Sequence, residues 1–236
     1  MAISFLVVGT AVPAEEEVTF EAADGTTIFA TVHTPHDSGQ APFIVLFHQA
    51  GSSQSEYDEI VPWLGELGFN AMTVDLRSGG GGNETVAERG GSAGQYADAL
   101  PDIEAALAFA RNTYAETSLI GWGSSYSGGL IIKAVGEQPE LADGVIAYSP
   151  GDYYGQSAEW LGAPAANVAV PFYLSAPEGE KRFYQPVFDM VGSKDKNLFT
   201  VAGSPHGSSA LTAANGEKAE QHKADLRQFL ERFLQS

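Results

Sequence analysis

The amino-acid sequence predicts an α/β fold in which helices cover both faces of a doubly wound, mostly parallel sheet. Short apolar runs of strand length alternate with longer segments of helical periodicity along most of the chain. Of the 236 residues, 44% are apolar, which suffices for one large core. The sequence contains neither an internal repeat nor a long linker, so residues 15–236 are predicted to form a single domain.

The first 14 residues, MAISFLVVGTAVPA, differ in character from the rest of the chain. They are apolar and end in a V-P-A pattern suited to signal cleavage, although they lack the positive charge typical of a secretory signal. The segment is too short to span a bilayer. We interpret residues 1–14 as a weak or truncated export signal, with an ordinary N-terminal strand as the alternative. A periplasmic or secreted protein is therefore expected, with the cytoplasm as the other location.

A hairpin is predicted at the start of the domain, because the turn dipeptide Asp24-Gly25 separates two strand-like segments, residues 17–20 and 27–33. Beyond it, strands and helices alternate, which favours parallel strands joined by crossovers. In the last helix, apolar residues recur at helical spacing. The predicted strands are residues 43–47, 71–74, the apolar run before Ser125, 144–148, 170–175 and 197–201, and the predicted helices are residues 57–67, 97–114, 128–136 and 217–234.

Charge and cysteine content exclude several functions. The net charge of −18 would repel nucleic acids and anionic membrane surfaces, so neither is an expected partner. The chain has no cysteine, which rules out disulfides, a cysteine nucleophile and thiolate metal sites. Covalent catalysis would therefore have to use an oxygen or a nitrogen atom.

The glycine-rich stretch SGGGGN, residues 78–83, is interpreted as a flexible loop rather than a nucleotide site. It lacks the Gly-Lys-Ser/Thr ending of a phosphate-binding loop and opens no clear helix. Arg77, directly before it, would either meet a substrate carboxylate or pair with Asp75 or another surface acid, and the ion pair is favoured.

Ser125 is the candidate nucleophile. It follows an apolar run and precedes a glycine-rich helix start, and its neighbours Gly123, Ser124 and Ser127 are small. Small residues permit the sharp strand-to-helix turn, the nucleophile elbow, that presents a serine hydroxyl to solvent. A plain glycine-rich turn is the alternative interpretation.

Partners for Ser125 are expected at the carboxyl ends of the other parallel strands, where the active site of such a sheet lies. Glu178 and Glu180 follow the strand that ends in LSA, and His206 follows the last strand in the loop SPHGSS. The chain order of serine, acid and histidine is that of the α/β-hydrolase triad.

The other histidines have structural interpretations. His33 and His36 flank a proline turn, and His48 ends the first buried strand. His222 is expected on the polar side of the last helix. None is followed by a second ligand at metal spacing, so no metal site is expected.

Four motifs, LFHQAGSS, DLRSGG, WGSSYSGG and SPHGSS, resemble those of α/β-hydrolases of the dienelactone-hydrolase-like group over nearly the whole chain. The resemblance implies the α/β-hydrolase fold and serine hydrolase chemistry without a cofactor. Dienelactone hydrolases proper use a cysteine nucleophile, so their own reaction is not implied. Ser127 also replaces the glycine that usually ends the elbow motif.

The resemblance further implies that Glu180 orients His206. In similar hydrolases the acid lies about nine residues after the proline that begins the strand, which is Pro171 here. Glu178 is the first alternative, and Asp152, which follows an earlier strand, is the second.

Backbone amides are expected to form an oxyanion hole. Tyr126, directly after the nucleophile, supplies one amide. The register of similar hydrolases assigns the other to Ala50 in the HQAGSS turn, with Gln49 next best. The Gln49 side chain would add a hydrogen bond there or would merely satisfy the local backbone.

An open cleft with little or no cap is expected. Only about twenty residues separate the strand ending at Tyr148 from the one beginning near Val170, where larger relatives insert a helical cap. In this segment Tyr153, Tyr154 and Trp160 would either line the cleft as an apolar wall for an acyl or aromatic group or cover the sheet edge.

The predicted function is hydrolysis of small or medium carboxylic esters through an acyl-enzyme. A peptidase or another acyl hydrolase using the same triad is the alternative. A non-catalytic binding protein of this fold is a weaker one, because it would have no need of a serine, a histidine and an acid together.

Overall fold

The computed structural model describes residues 14–37 and 40–234, which form a mixed sheet with helices on both faces. Most of the predicted export signal, residues 1–13, lies outside the described residues. The strands are β1 Ala14–Glu21, β2 Thr27–Thr34, β3 Phe43–Phe47, β4 Asn70–Asp75, β5 Leu119–Ser124, β6 Gly144–Tyr148, β7 Phe172–Pro177 and β8 Lys196–Val201. The helices are α1 Ile60–Glu66, α2 Glu84–Glu88, α3 Leu100–Thr113, α4 Tyr126–Glu137, α5 Ala158–Ala165, α6 Lys181–Met190 and α7 Glu217–Leu230.

The strands lie in the order β1-β2-β4-β3-β5-β6-β7-β8. β1 and β2 form the predicted antiparallel hairpin, and β2 is also antiparallel to β4. From β4 to β8 every neighbouring pair is parallel. The prediction of a doubly wound, mostly parallel sheet with an N-terminal hairpin is therefore confirmed.

Side chains that alternate along the strands fill two cores, one on each face of the sheet. In β3, Phe43, Val45 and Phe47 belong to the core beneath α3 and α4. Ile44 and Leu46 belong to the opposite core, beneath α1 and α7. Because both faces are covered, all five residues are buried, and the strand is a continuous apolar run.

Two glycines bring α4 close to β5. A Cβ atom at Gly121 would lie 2.5 Å from Ile131 Cδ1, and one at Gly123 would lie 2.3 Å from the carbonyl oxygen of Ser127. Any larger residue would push the helix away from the strand. The first turn of α4 therefore lies directly against the end of β5, with Ser125 between them.

Sequence periodicity does not predict α2, α5 or α6. α2 has only five residues, and α5 and α6 contain Pro164 and Pro186, a residue that normally disfavours a helix interior. In place of one helix over residues 57–67, the chain forms a 3-10 turn, Gln54–Tyr57, followed by α1. No helix among the described residues is long and apolar enough to cross a membrane.

The glycine loop, expected to be flexible, is closely packed in its first half. Gly80 N donates a hydrogen bond to the Ser52 carbonyl at 2.8 Å. A Cβ atom at Gly80 would lie 2.2 Å from the Gly51 carbonyl oxygen. The glycine is therefore needed for close contact between two loops rather than for mobility.

Arg77 forms ion pairs, as favoured from the sequence, but with Asp102 and the surface acid Asp24 rather than with Asp75. Its Nε donates to Asp102 Oδ1 at 2.8 Å, and its backbone amide donates to Asp102 Oδ2 at 2.9 Å. A second carboxylate, Asp24 in the hairpin turn, accepts from Arg77 Nη2 at 3.0 Å. Asp75 instead accepts hydrogen bonds from two backbone amides. Arg77 thus joins the hairpin to α3.

We expect Asp102→Ala to lower the free energy of unfolding by about 3–5 kcal/mol, because Arg77 would stay buried without its main counter-ion. The Asp102 side chain is 0% exposed, whereas that of Asp24 is 48% exposed. Asp24→Ala should therefore cost less than about 1 kcal/mol. Urea unfolding followed by circular dichroism measures both values, and equal losses would contradict this distinction.

Candidate active site

Ser125 occupies a strained turn between β5 and α4. Its φ of 60° and ψ of −119° are unfavourable for a residue with a side chain, and such strain is common at functional sites. Two backbone hydrogen bonds hold the turn. Ser125 N donates to the Tyr148 carbonyl at 2.7 Å, and Gly128 N donates to the Ser125 carbonyl at 3.0 Å.

Ser127 makes contacts that the usual glycine of the elbow motif could not make. Its Oγ accepts a hydrogen bond from Ser124 N at 2.8 Å and donates to the Phe47 carbonyl at 2.7 Å. Phe47 ends β3, and the turn that follows this strand carries Ala50. The hydroxyl therefore ties the serine turn to the neighbouring strand.

His206 lies between Ser125 and Glu180. Its Nε2 is 2.7 Å from Ser125 Oγ, and its Nδ1 is 2.7 Å from Glu180 Oε1. Because an ionised carboxylate can only accept hydrogen bonds, Nδ1 carries the proton. Nε2 then has its lone pair directed at the serine hydroxyl, which is the arrangement that a general base requires.

Serine side chains hold the loop that carries His206. Gly207 N donates to Ser149 Oγ at 3.0 Å, and Ser208 N donates to Ser124 Oγ at 2.9 Å. Gly207 has a φ of +72°, and a Cβ atom there would lie 2.6 Å from Ser124 Oγ. The loop therefore fits against the serine turn only with glycine at this position.

The structure brings Glu180, rather than the two alternative acids, to His206. Glu178 and Asp152 are exposed, and the hydrogen-bond partner of His206 Nδ1 is Glu180. Glu180 lies at the end of a 3-10 turn that directly follows β7, so the strand fixes its position. Its second oxygen, Oε2, is buried and lacks a hydrogen-bond partner within the described part of the chain.

The three residues predicted for the oxyanion hole differ in the state of their amides. Tyr126 is the first residue of α4, where an N–H group has no partner within the helix. Ala50 is partly exposed and lines the same cleft as Ser125. Gln49 N donates to Glu56 Oε2 at 2.6 Å, so this amide is already engaged.

A cleft of about 290 Å³ opens at Ser125 and His206. Its apolar wall comes from three aromatic residues, Tyr96, Tyr153 and Phe183. The Tyr96 ring stacks on that of Tyr126, with 4.8 Å between the ring centroids. Tyr153 occupies the place expected for it, whereas Tyr96 and Phe183 do not follow from sequence periodicity, since Phe183 lies in the unpredicted helix α6.

Tyr154 and Trp160 do not line this cleft, so the first of their two predicted roles, an apolar wall for the substrate, is wrong. Tyr154 is buried, its hydroxyl donates to the Tyr126 carbonyl, and its ring packs against that of Trp160. The ammonium group of Lys133 lies 4.5 Å from the centroid of a Trp160 ring. Both aromatic side chains therefore pack against α4.

His222 is buried, so its predicted place on the polar side of the last helix is wrong. Its Nδ1 lies 3.0 Å from Ser175 Oγ and its Nε2 lies 2.8 Å from Ser204 Oγ. His222 precedes Leu226 by four residues, and this spacing places it on the apolar stripe of α7. Burial lowers the pKa of His222 to about 4.

The remaining histidines make structural contacts. His48 is buried and accepts a hydrogen bond from Leu76 N at its Nε2, and burial lowers its pKa to about 4. His33 Nδ1 lies 3.5 Å from Glu15 Oε1, and His36 Nε2 lies 2.8 Å from a backbone carbonyl. Across residues 14–37 and 40–234, no group of three or more histidine, aspartate and glutamate side chains is arranged to hold a metal ion.

The sheet topology, the strained serine turn and the hydrogen-bonded serine, histidine and carboxylate are those of an α/β-hydrolase. The chain belongs to the hydrolase family described as serine aminopeptidase S33, which matches residues 40–181, more than half of its length. The matched segment includes Ser125 and Glu180 and ends before His206. No curated protein sequence matches the chain.

Solved structures share this fold at low sequence identity. The dienelactone hydrolase from Anabaena variabilis is 14% identical with a TM-score of 0.71, covering 94% of this chain and 99% of that one. The Pyrococcus furiosus esterase Pf2001 is 16% identical with a TM-score of 0.71, covering 94% and 93%. Est1E from Butyrivibrio proteoclasticus, solved with ferulic acid bound, is 12% identical with a TM-score of 0.72, covering 93% and 100%. The resemblance to α/β-hydrolases of the dienelactone-hydrolase-like group is thus confirmed.

We expect the protein to lose stability as the pH falls from 6.5 to about 4. His48 and His222 have pKa values of about 4 when folded, below the ordinary value of 6.5, so protons bind the unfolded chain more tightly in this range. Each histidine contributes up to about 3 kcal/mol of stability at neutral pH that is lost on acidification. Urea unfolding at several pH values measures the slope. His222→Gln should flatten it, and an unchanged slope in this variant would contradict the assignment.

Proposed function

We propose that the protein hydrolyses small carboxylic esters through an acyl-enzyme intermediate, with Ser125 as nucleophile, His206 as general base and Glu180 as the orienting acid. The observation that carries this proposal is the unbroken series of contacts from Ser125 Oγ to His206 Nε2 and from His206 Nδ1 to Glu180 Oε1, each 2.7 Å long. It lies at the carboxyl ends of the parallel strands, where this fold places its active site.

The reaction would proceed in two halves. Ser125 Oγ attacks the ester carbonyl carbon as its proton passes to His206 Nε2. The bond between the carbonyl carbon and the alkoxy oxygen then breaks, and the same proton passes to the departing alcohol. Water next attacks the acyl carbon as His206 accepts its proton. The bond between that carbon and Ser125 Oγ then breaks, the proton passes from His206 to Oγ, and the carboxylic acid is released. Glu180 stabilises the imidazolium form in both halves, and the chemistry needs no cofactor.

The backbone amides of Tyr126 and Ala50 are the proposed oxyanion hole. The amide of Tyr126 stands at the N-terminus of α4, where the helix dipole favours developing negative charge. Ala50 lines the cleft opposite, in the turn after β3. Gln49 contributes no amide to this hole, because its N–H is bonded to Glu56.

The cleft supports a small ester with an apolar or aromatic group. A volume of about 290 Å³ is at the low end for ligand sites, and its wall of Tyr96, Tyr153 and Phe183 offers aromatic surfaces for packing. Ferulic acid, bound in the Est1E structure, is an aromatic carboxylic acid, which agrees with this substrate class.

An aminopeptidase is the second candidate, because the family description names this activity. Capture of a peptide amino terminus requires a carboxylate that is free to bind the ammonium group. Among the described residues that line the cleft, the one acid is Glu180, which already binds His206 and whose other oxygen is buried. The composition of the cleft therefore favours esters.

The decisive test compares p-nitrophenyl esters of short and long acyl chains with aminoacyl amides. We expect turnover of the short-chain esters, a loss of at least about 10⁴-fold in kcat for Ser125→Ala, and fluorophosphonate labelling at Ser125. Unchanged turnover in Ser125→Ala would refute the proposal. Faster cleavage of the amides than of any ester would establish the peptidase instead.

The acid is tested by two substitutions two residues apart. Glu180→Ala should lower kcat by about 10²-fold to 10⁴-fold, because His206 loses both its orientation and the countercharge to its cationic form. Glu178→Ala is the matched control, since its side chain is exposed, and it should retain wild-type kcat. The opposite pattern would assign the role to Glu178.

A further inference from the structure

Glu56 lies beneath the candidate site and takes no part in the chemistry described so far. It belongs to the 3-10 turn Gln54–Tyr57, between β3 and α1. Each of its two carboxylate oxygens accepts one short hydrogen bond. Oε2 accepts from Gln49 N at 2.6 Å, and Oε1 accepts from Ser124 Oγ at 2.6 Å.

These contacts join three separate parts of the site. Gln49 belongs to the turn that carries Ala50, and Ser124 directly precedes the nucleophile. Ser124 Oγ also accepts a hydrogen bond from Ser208 N at 2.9 Å, two residues after His206. One carboxylate thus connects the oxyanion turn, the serine turn and the histidine loop.

We propose that Glu56 is a positioning residue, which holds the amide of Ala50 and the loop of His206 in place around Ser125. This inference rests on the proposed function. Because Glu56 occupies the Gln49 amide, the next amide in the turn, that of Ala50, is left for the oxyanion. Because Glu56 binds Ser124, the histidine loop is held against the serine turn through Ser208.

A carboxylate at this place is costly, which argues for a specific role. Burial raises the pKa of Glu56, while the hydrogen bonds from Ser124 and Gln49, the nearby backbone N–H of Ser208 and the nearby His206 act in the opposite direction. Tyr57 and Tyr126 are titratable groups that also interact with it. A buried ionisable group requires such compensation.

Only a carboxylate offers acceptors at both positions. Glutamine has the same shape, but it has one acceptor oxygen and one NH₂ group. In Glu56→Gln the NH₂ group would face either the Gln49 amide or the Ser124 hydroxyl, both of which donate to Glu56 in the native site. One orientation breaks the link to Gln49. In the other, the Ser124 hydroxyl must accept from the NH₂ group as well as from Ser208 N, and its own proton loses its acceptor, so the native pair of hydrogen bonds is lost without any change in side-chain volume.

The experiment compares Glu56→Gln with Asp75→Asn. Asp75 is the matched control because it is another buried carboxylate that anchors the same 3-10 turn, accepting from Gln54 N at 2.7 Å, and it touches no group of the site. The readouts are kcat, KM, the rate of fluorophosphonate labelling and the melting temperature. We expect Glu56→Gln to lower kcat and the labelling rate about 10-fold to 100-fold with KM within about twofold.

Asp75→Asn should lower the melting temperature while kcat stays within about twofold of the wild type. Equal losses of kcat in the two variants, or a Glu56→Gln enzyme of full kcat and reduced melting temperature, would show that Glu56 is only structural. If Glu56→Gln does not fold, Ser124→Ala decides, because it breaks the same link and should lower kcat about 10-fold. Failure of the proposed function itself would be seen separately, as turnover that survives Ser125→Ala.

Discussion

The close contact between α4 and the end of β5 is the constraint on which the site depends. Glycine at 121 and 123 lets the helix start against the strand, and the chain must then turn within one residue. That residue, Ser125, adopts a φ of 60° as a result. Hydrogen bonds to carbonyls of β3 and β6 hold this strained turn, because Ser127 Oγ donates to Phe47 and Ser125 N donates to Tyr148. The central sheet therefore fixes the position of the Ser125 hydroxyl.

Much of the fold and the centre of the site follow from the sequence alone. Strand periodicity and the Asp24-Gly25 turn predict the sheet. In a parallel sheet the active site lies at the carboxyl ends of the strands, which predicts that Ser125, Glu180 and His206 lie close together, as they do. The choice of Glu180 over Glu178 depended on family resemblance. Residues 178 and 180 both follow the same strand. The 3-10 turn that contains them determines which carboxylate reaches the imidazole of His206.

What the sequence does not predict depends on contacts between distant segments. Tyr96 lines the cleft with its ring stacked on that of Tyr126. Phe183 lines it because α6 forms despite Pro186. The role of Glu56 depends on three loops meeting in space, for which no local pattern exists. His222 is a different case, since its spacing to Leu226 already indicated the buried face of α7.

The segment between β6 and β7 contributes one short helix, α5, which packs against α4 and supplies no side chain to the wall of the cleft. The imidazole of His206 is 37% exposed. Because α5 does not cover the cleft, a cycle by the proposed mechanism would not require this helix to open and close, a step that limits many enzymes. Water could also reach an acyl group on Ser125 through the cleft without any segment having to move first.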